Sequence, residues 1–132
     1  MRTKVAACLF FLGLAFVMGA QAQTRKTQAE TLQRYAKYAG DSIREFQFWS
    51  LYKWALAGPT KVLVWPNINE AYLISVEDPC PGLEWAKGIG VTSKQPRLVS
   101  ARFDFVTFGN GRCHIEEIRP IDVKRMTEDE KD

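Results

Sequence analysis

The first 22 residues constrain this chain more than any other feature, because they have the layout of a secretory signal rather than of a folded element. Arg2 and Lys4 form a basic start, an apolar run of fourteen residues covers 5–18, and Ala20-Gln21-Ala22 has small residues at the two positions that a signal peptidase recognises. We therefore expect cleavage after Ala22. An uncleaved membrane anchor is the alternative, but the run is shorter than the roughly 20 residues of a membrane helix.

Cleavage would remove 22 of the 132 residues and leave 110, enough for one domain with its own core. The complete chain has 18 basic and 15 acidic residues, and the leader carries two of the basic ones, so the net charge falls from +3 to +1. A nearly neutral protein has no long-range attraction for nucleic acid or anionic lipid. We expect no nucleic-acid partner and no stable membrane span after cleavage.

The expected leader also determines which cysteines remain in the mature chain and in which compartment they lie. Cys8 would leave with it, so Cys80 and Cys113 remain in an oxidising compartment, where an even pair in a small domain predicts a disulfide. A redox-active pair is the alternative, but such pairs usually lie close together as Cys-x-x-Cys. One histidine and two paired cysteines leave no set of four metal ligands, so we expect no metal and no cofactor.

The N-terminal part of the mature chain, 23–41, is polar and rich in helix-forming residues. Leu32, Tyr35, Ala36 and Ala39 lie on one helical face, and Gly40 is a suitable end. The apolar face is thin, so this segment is predicted to be either a docked helix or a mobile arm.

From Ile43 onward the apolar residues alternate, which is typical of strands. The second and third strands, 61–65 and 70–76, are separated by turn residues and should form a hairpin. Two helical turns fit 83–89, and 97–108 is predicted to be the longest strand. Gly109-Asn110-Gly111 is the clearest hairpin turn, after which a returning strand from Cys113 ends at Pro120.

These elements predict a mostly β, α+β fold. It is a small five-stranded antiparallel sheet or an OB-like barrel, with one short helix between strands 3 and 4 and an N-terminal helix after the signal peptide. The expected organisation is a signal peptide (1–22), a helical or mobile arm (23–41), one disulfide-linked β-domain (42–124) and a disordered charged tail (125–132).

His114, the only histidine, is the candidate for catalysis. Asp104 and Glu116 lie on the strands flanking the Gly109 turn and can share a sheet face with it, as a carboxylate–imidazole pair suited to general base work. The alternative is an exposed histidine on the solvated face of a hairpin, because neither a nucleophile nor an oxyanion donor accompanies it.

Candidate ligand contacts are Arg102, Trp49 and Tyr72. Arg102 lies two residues from Asp104 on one predicted strand face and can hold a carboxylate or phosphate, unless it only makes cross-strand ion pairs. Aromatic side chains on a small barrel bind sugars, peptides or bases by stacking, unless they fill the core. Trp49 is the residue least expected in the core, because it alternates with Phe48 and faces the polar side.

A series of short motifs resembles one known family of uncharacterised proteins. The motifs are Val64-Trp65, Asn69-Glu70-Ala71-Tyr72-Leu73-Ile74, Pro79-Cys80-Pro81-Gly82-Leu83, Ile89-Gly90-Val91-Thr92-Ser93, Val99-Ser100-Ala101-Arg102-Phe103-Asp104, Arg112-Cys113-His114-Ile115 and Ile118-Arg119-Pro120-Ile121-Asp122. The family consists of small exported proteins of Gram-negative bacteria and is described as a domain of unknown function. The resemblance covers about 42–124. It implies a periplasmic or envelope location and a Cys80–Cys113 pair, and it assigns no catalytic or ligand residue; His114 is outside its pattern.

Together these observations predict an exported periplasmic or secreted protein that binds a protein, a peptide or an envelope glycan without catalysis. Export, the β pattern and the surplus of aromatic residues favour this class. The alternative is a small hydrolase or lyase that uses His114 with Asp104 or Glu116.

Overall fold

The computed structural model describes residues 24–131, so the expected leader, its cleavage after Ala22 and Cys8 lie outside the described residues. Two α-helices, one 3₁₀ turn and eight strands make up the described part. In chain order they are α1 (24–36), β1 (Glu45–Gln47), β2 (Lys53–Leu56), β3 (Lys61–Asn67), β4 (Glu70–Val76), the 3₁₀ turn (Leu83–Trp85), β5 (Gly90–Val91), β6 (Leu98–Ser100), β7 (Phe105–Phe108), β8 (Gly111–Ile121) and α2 (Val123–Lys131).

Six strands form one curled antiparallel sheet in the order β2-β3-β4-β8-β7-β5, and β1 and β6 form a separate two-stranded ribbon. The predicted class, a mostly β antiparallel fold with added helices, is confirmed at that level. The predicted count of five strands is wrong. The sheet is also open, because its outer strands β2 and β5 do not pair with each other within 24–131, whereas a barrel would close there.

Alternation along the central strands gives the sheet two apolar faces. In β3, Val62 and Val64 point into one buried cluster, while Leu63 and Trp65 point into another. The first cluster lies under the β1–β6 ribbon, whose Phe46 and Val99 complete it. The second lies under the two helices. Alternating positions of one strand therefore hold the ribbon on one face and the helices on the other.

The helices cover their face through a few large side chains. Tyr35 of α1 is buried with its ring edge-on to Trp65, at 5.5 Å between centroids, so α1 packs against the sheet. Met126 of α2 is buried in the same cluster, and Tyr38 donates a hydrogen bond of 2.9 Å to Asp129. Most of the segment expected to be a disordered tail (125–132) lies within α2, where tertiary contacts stabilise a helix whose composition is mostly charged.

Turn chemistry predicted the hairpins correctly and the strand lengths less well. β3 pairs with β4, and β7 pairs with β8 across a two-residue turn in which Gly109 has φ +49°. The predicted two-turn helix over 83–89 is a single 3₁₀ turn, Leu83–Trp85, in the structure. The longest strand is β8, which runs through Pro120, whereas the predicted strand 97–108 is interrupted between β6 and β7.

The expected disulfide is present. Cys80 and Cys113 are bonded across a sequence separation of 33 residues, with their Cα atoms 6.0 Å apart. Both lie in the core under the ribbon. Because Cys80 precedes the 3₁₀ turn and Cys113 lies near the start of β8, the bond joins these two elements. Within 24–131, no helix has the length and apolar character needed to cross a membrane.

Candidate functional site

Asp104 explains the interruption between β6 and β7. Its carboxylate is completely buried and accepts three hydrogen bonds: Oδ1 from the Thr92 hydroxyl and the Lys94 N–H, both at 2.9 Å, and Oδ2 from the Ser100 N–H at 2.8 Å. A buried carboxylate is tolerated only when its oxygens are bonded in this way. The chain therefore turns after β6 to bring Asp104 inside, and its predicted position on a solvated strand face is wrong.

The same turn brings Arg102 and Phe103 to the surface. Arg102 has φ +71°, a left-handed conformation that non-glycine residues adopt only when the surroundings impose it. Its N–H donates a hydrogen bond of 2.7 Å to the Ile115 carbonyl, which anchors the turn to β8. Phe103 is 64% exposed. Arg102 and Asp104 consequently do not share a face.

A groove of about 760 Å³ runs beside this turn, at the base of the ribbon. β8 has a β-bulge there. Ser75 and Val76 are consecutive on β4, but their partners on β8, Glu117 and Ile115, are two residues apart, so Glu116 is the extra residue. The groove is lined by the start of β1, by the Arg102–Phe103 turn and by Glu116 and Glu117. It lies at the point along β8 where the neighbouring chain changes from β7 to the segment before β1, which contacts β8 at Ile43.

The charges lining the groove are of both signs. Glu117 accepts a hydrogen bond of 2.7 Å from the Ser42 hydroxyl, and Glu45 a longer one of 3.5 Å from the Ser100 hydroxyl. The guanidinium groups of Arg44 and Arg102, in contrast, have neither an ion-pair nor a hydrogen-bond partner among residues 24–131. The groove therefore offers two exposed cations that have no side-chain partner in the described chain, next to an exposed aromatic ring.

The structure does not assemble the predicted catalytic group. His114 Nδ1 lies 4.0 Å from Glu116 Oε1, which is beyond hydrogen-bond distance. The ring packs on Phe105 at 4.9 Å between centroids, and His114 is not among the residues lining the groove. Asp104 directs its carboxylate to the Thr92–Ser100 segment instead.

The two aromatic candidates lie in different environments. Trp49 is 66% exposed, with the guanidinium carbon of Arg97 4.1 Å from its ring centroid. Tyr72 stacks on Phe46 at 4.2 Å and donates a hydrogen bond of 3.0 Å to Glu70. Burial, together with this bond, raises the pKa of Tyr72 to about 12. Tyr72 therefore belongs to the contact between ribbon and sheet, and neither residue lines the groove.

Sequence reasoning missed Arg44 and Phe103. Alternation along the predicted continuous strand 97–108 places Phe103 on one face with Val99 and Ala101, whereas the structure exposes it. The available signal is the break in that alternation at Val106 and Phe108, both of which are buried. Within 24–131, no group of three or more His, Cys, Asp or Glu side chains is suitably arranged to hold a metal ion.

Comparison with known proteins gives one family and no individual relative. No curated protein and no solved structure matches the chain. A family model does match, over residues 1–132, and it confirms the resemblance to an uncharacterised family. The chain therefore belongs to the family of unknown function DUF6491.

Proposed function

We propose that this protein is a non-catalytic binding module and that the groove beside the Arg102–Phe103 turn is its ligand site. The observation that carries the proposal is the way this turn is held. Arg102 is kept in a left-handed conformation by its bond to Ile115, and the buried Asp104 carboxylate fixes the chain directly after it. Such strain persists only where the surrounding structure imposes it, and it is concentrated at functional sites.

Of the three ligand classes that export suggests, a polypeptide fits this groove best. Two arginines and three glutamates line it, so a polyanion would meet repulsion as well as attraction. A polypeptide offers charges of both signs and apolar side chains for the exposed Phe103 ring. A fixed turn also lowers the entropy cost of binding, because the site is already ordered before the ligand arrives.

We also propose that the protein acts outside the cytoplasm, in the periplasm of a Gram-negative bacterium or secreted. The leader-like residues 1–22 and the Cys80–Cys113 disulfide support this location, since disulfides persist in oxidising compartments. N-terminal sequencing of protein isolated from the producing cell tests it. We expect Gln23 as the first residue, and protein that begins with Met1 would contradict export by cleavage.

Binding is tested with two probe sets: a phage-displayed library of random dodecapeptides and an array of envelope glycan fragments. Two variants decide where the ligand binds. Phe103→Ala removes an exposed ring from the groove, and Trp49→Ala removes an equally exposed ring elsewhere. We expect Phe103→Ala to weaken the best peptide at least tenfold and Trp49→Ala to change it less than twofold. Failure of both probe sets, or the reverse order of the variants, would refute the groove as the site.

A further inference from the structure

We propose that the bound polypeptide adds as an extra strand to the outer edge of β1. This inference rests on the proposed function and specifies how the ligand is held. β1 is one strand of a two-stranded ribbon, so one of its edges faces β6 and the other faces away. Recognition by strand addition uses main-chain hydrogen bonds for affinity and neighbouring pockets for specificity.

The hydrogen bonds of the ribbon show which backbone groups are free to pair. The Phe48 N–H donates to the Arg97 carbonyl, and the Ala101 N–H donates to the Arg44 carbonyl. In an antiparallel pair, hydrogen-bonded and non-hydrogen-bonded positions alternate. Positions 44, 46 and 48 therefore direct their backbone groups to β6. Glu45 and Gln47, which pair with Ser100 and Leu98 in register, direct theirs away from it.

The opposite edge of the ribbon is already satisfied by side chains. The Ser100 N–H donates to Asp104 Oδ2, and the Leu98 carbonyl accepts a hydrogen bond of 2.6 Å from the Ser93 hydroxyl. Proteins commonly cover edge strands in this way to prevent unwanted pairing. No such cover is found at Glu45 and Gln47 among the described residues, and both are exposed. The ribbon thus has one closed edge and one open edge.

The open edge is continuous with an existing pairing and with the groove. Ile43, two residues before β1 and on the side of the chain that continues as its outer edge, donates its N–H to the Ile118 carbonyl of β8 at 2.8 Å. Beyond Ile43 the two strands separate, and the groove begins at this separation, with Glu45 in its lining. An added strand would take the place beside Glu45 and Gln47 that β8 occupies beside Ile43.

Charge complementarity defines the occupant. Arg44 and Arg102 lack an ionic partner within 24–131, and Phe103, which also lines the groove, is exposed. A strand lying along Glu45 and Gln47 can direct an acidic side chain toward these guanidiniums and an apolar one toward the ring. The occupant is therefore an extended peptide segment of a partner protein that presents one acidic side chain to the two arginines and an apolar side chain to the Phe103 ring. A wholly acidic segment would be repelled by the three glutamates of the groove.

The test uses the tightest dodecapeptide selected from the random library, as a synthetic probe, with the full protein. Gln47→Pro removes one outward N–H and leaves the Phe48 and Ala101 hydrogen bonds in place, as an edge strand allows. Gln47→Ala is the matched control, because it changes only the side chain. We expect Gln47→Pro to weaken the probe at least tenfold and Gln47→Ala to change it less than twofold.

Hydrogen exchange provides a second measurement that does not depend on the proline variant. Binding of the probe to the unaltered protein should slow exchange at the Glu45 and Gln47 amides at least tenfold. Unchanged exchange there, with binding still sensitive to Phe103→Ala, would overturn strand addition and leave the groove as the site. Insensitivity to Phe103→Ala would instead overturn the proposed function. Protection of the same amides by self-association alone, with a dimer in sedimentation, would assign the edge to a second copy and also overturn the inference.

Discussion

Replacement of Asp104 by alanine tests whether this carboxylate is structural, as its burial indicates, or catalytic. The change removes a charged acceptor from three donors: the Thr92 hydroxyl and the N–H groups of Lys94 and Ser100. A hydrogen bond to a charged group contributes about 1.5–3 kcal/mol. Lys94 is exposed, so water replaces part of the loss there. We expect the free energy of unfolding to fall by about 3–4 kcal/mol, near the lower end of the sum for the two bonds from Thr92 and Ser100.

Two further variants separate the cause from general effects of mutation. Asp104→Asn keeps the shape but turns an amide N–H₂ toward one of the donors, so about 1–2 kcal/mol should be lost. Asp41→Ala removes an exposed carboxylate and should change stability by less than about 0.5 kcal/mol. The order of destabilisation should be Asp104→Ala, then Asp104→Asn, then Asp41→Ala.

Urea unfolding with the disulfide intact, followed by tryptophan fluorescence and circular dichroism, measures these differences. Because Asp104 holds the chain after Arg102, both Asp104 variants should also weaken the peptide probe. If Asp104→Ala loses less than about 1 kcal/mol, the three hydrogen bonds do not determine the turn and the structural reasoning is wrong. An unchanged stability accompanied by loss of a hydrolytic activity would restore the catalytic interpretation.

Three other predictions follow from the same structure. Replacing Cys80 and Cys113 together by alanine removes a bond that spans a sequence separation of 33 and should cost about 3–4 kcal/mol in chemical unfolding. The intact mass before and after reduction should differ by two hydrogen atoms, and equal masses would exclude the bond. The pKa of Tyr72 is raised from 10 to about 12 in the folded state, so the stability that this group contributes is complete below pH 10 and is lost as the pH rises toward 12. Absorbance titration at 295 nm should contain one late tyrosine that Tyr72→Phe removes, and a titration unaffected by that variant would contradict the assignment. Truncation after Asp122 removes α2 with the buried Met126 and should lower the free energy of unfolding by about 2 kcal/mol or more. An unchanged thermal unfolding transition would favour a disordered tail.

Local patterns predicted the parts of the fold that depend on neighbouring residues in the chain. The β3–β4 and β7–β8 hairpins follow from alternation and turn chemistry, since both act over a few residues. The Cys80–Cys113 bond follows from counting cysteines once the leader is excluded. The strand count failed, because single bridges and short edge strands such as β5 have almost no sequence pattern of their own.

The candidate site was less predictable, because it depends on contacts between distant segments. Alternation places Asp104 and Phe103 on opposite faces of one continuous strand, and the structure instead turns the chain there, burying the charged Asp104 and exposing the apolar Phe103. A carboxylate that collects donors from Thr92, Lys94 and Ser100 overrides the pattern of a continuous strand. The open edge at Glu45 and Gln47 likewise depends on which strand lies beside β1, and periodicity does not indicate that.

The class of fold, the two hairpins, the cysteine pair and the family can be inferred from the order of residues alone, because alternation, turn residues and motifs depend only on neighbouring positions. Contacts between distant segments determine where β8 changes partners, why Arg102 is held left-handed and which edge of β1 stays free. Each of these depends on long-range hydrogen bonds to a buried carboxylate or a neighbouring strand, and their energies exceed the local preferences that a sequence pattern records.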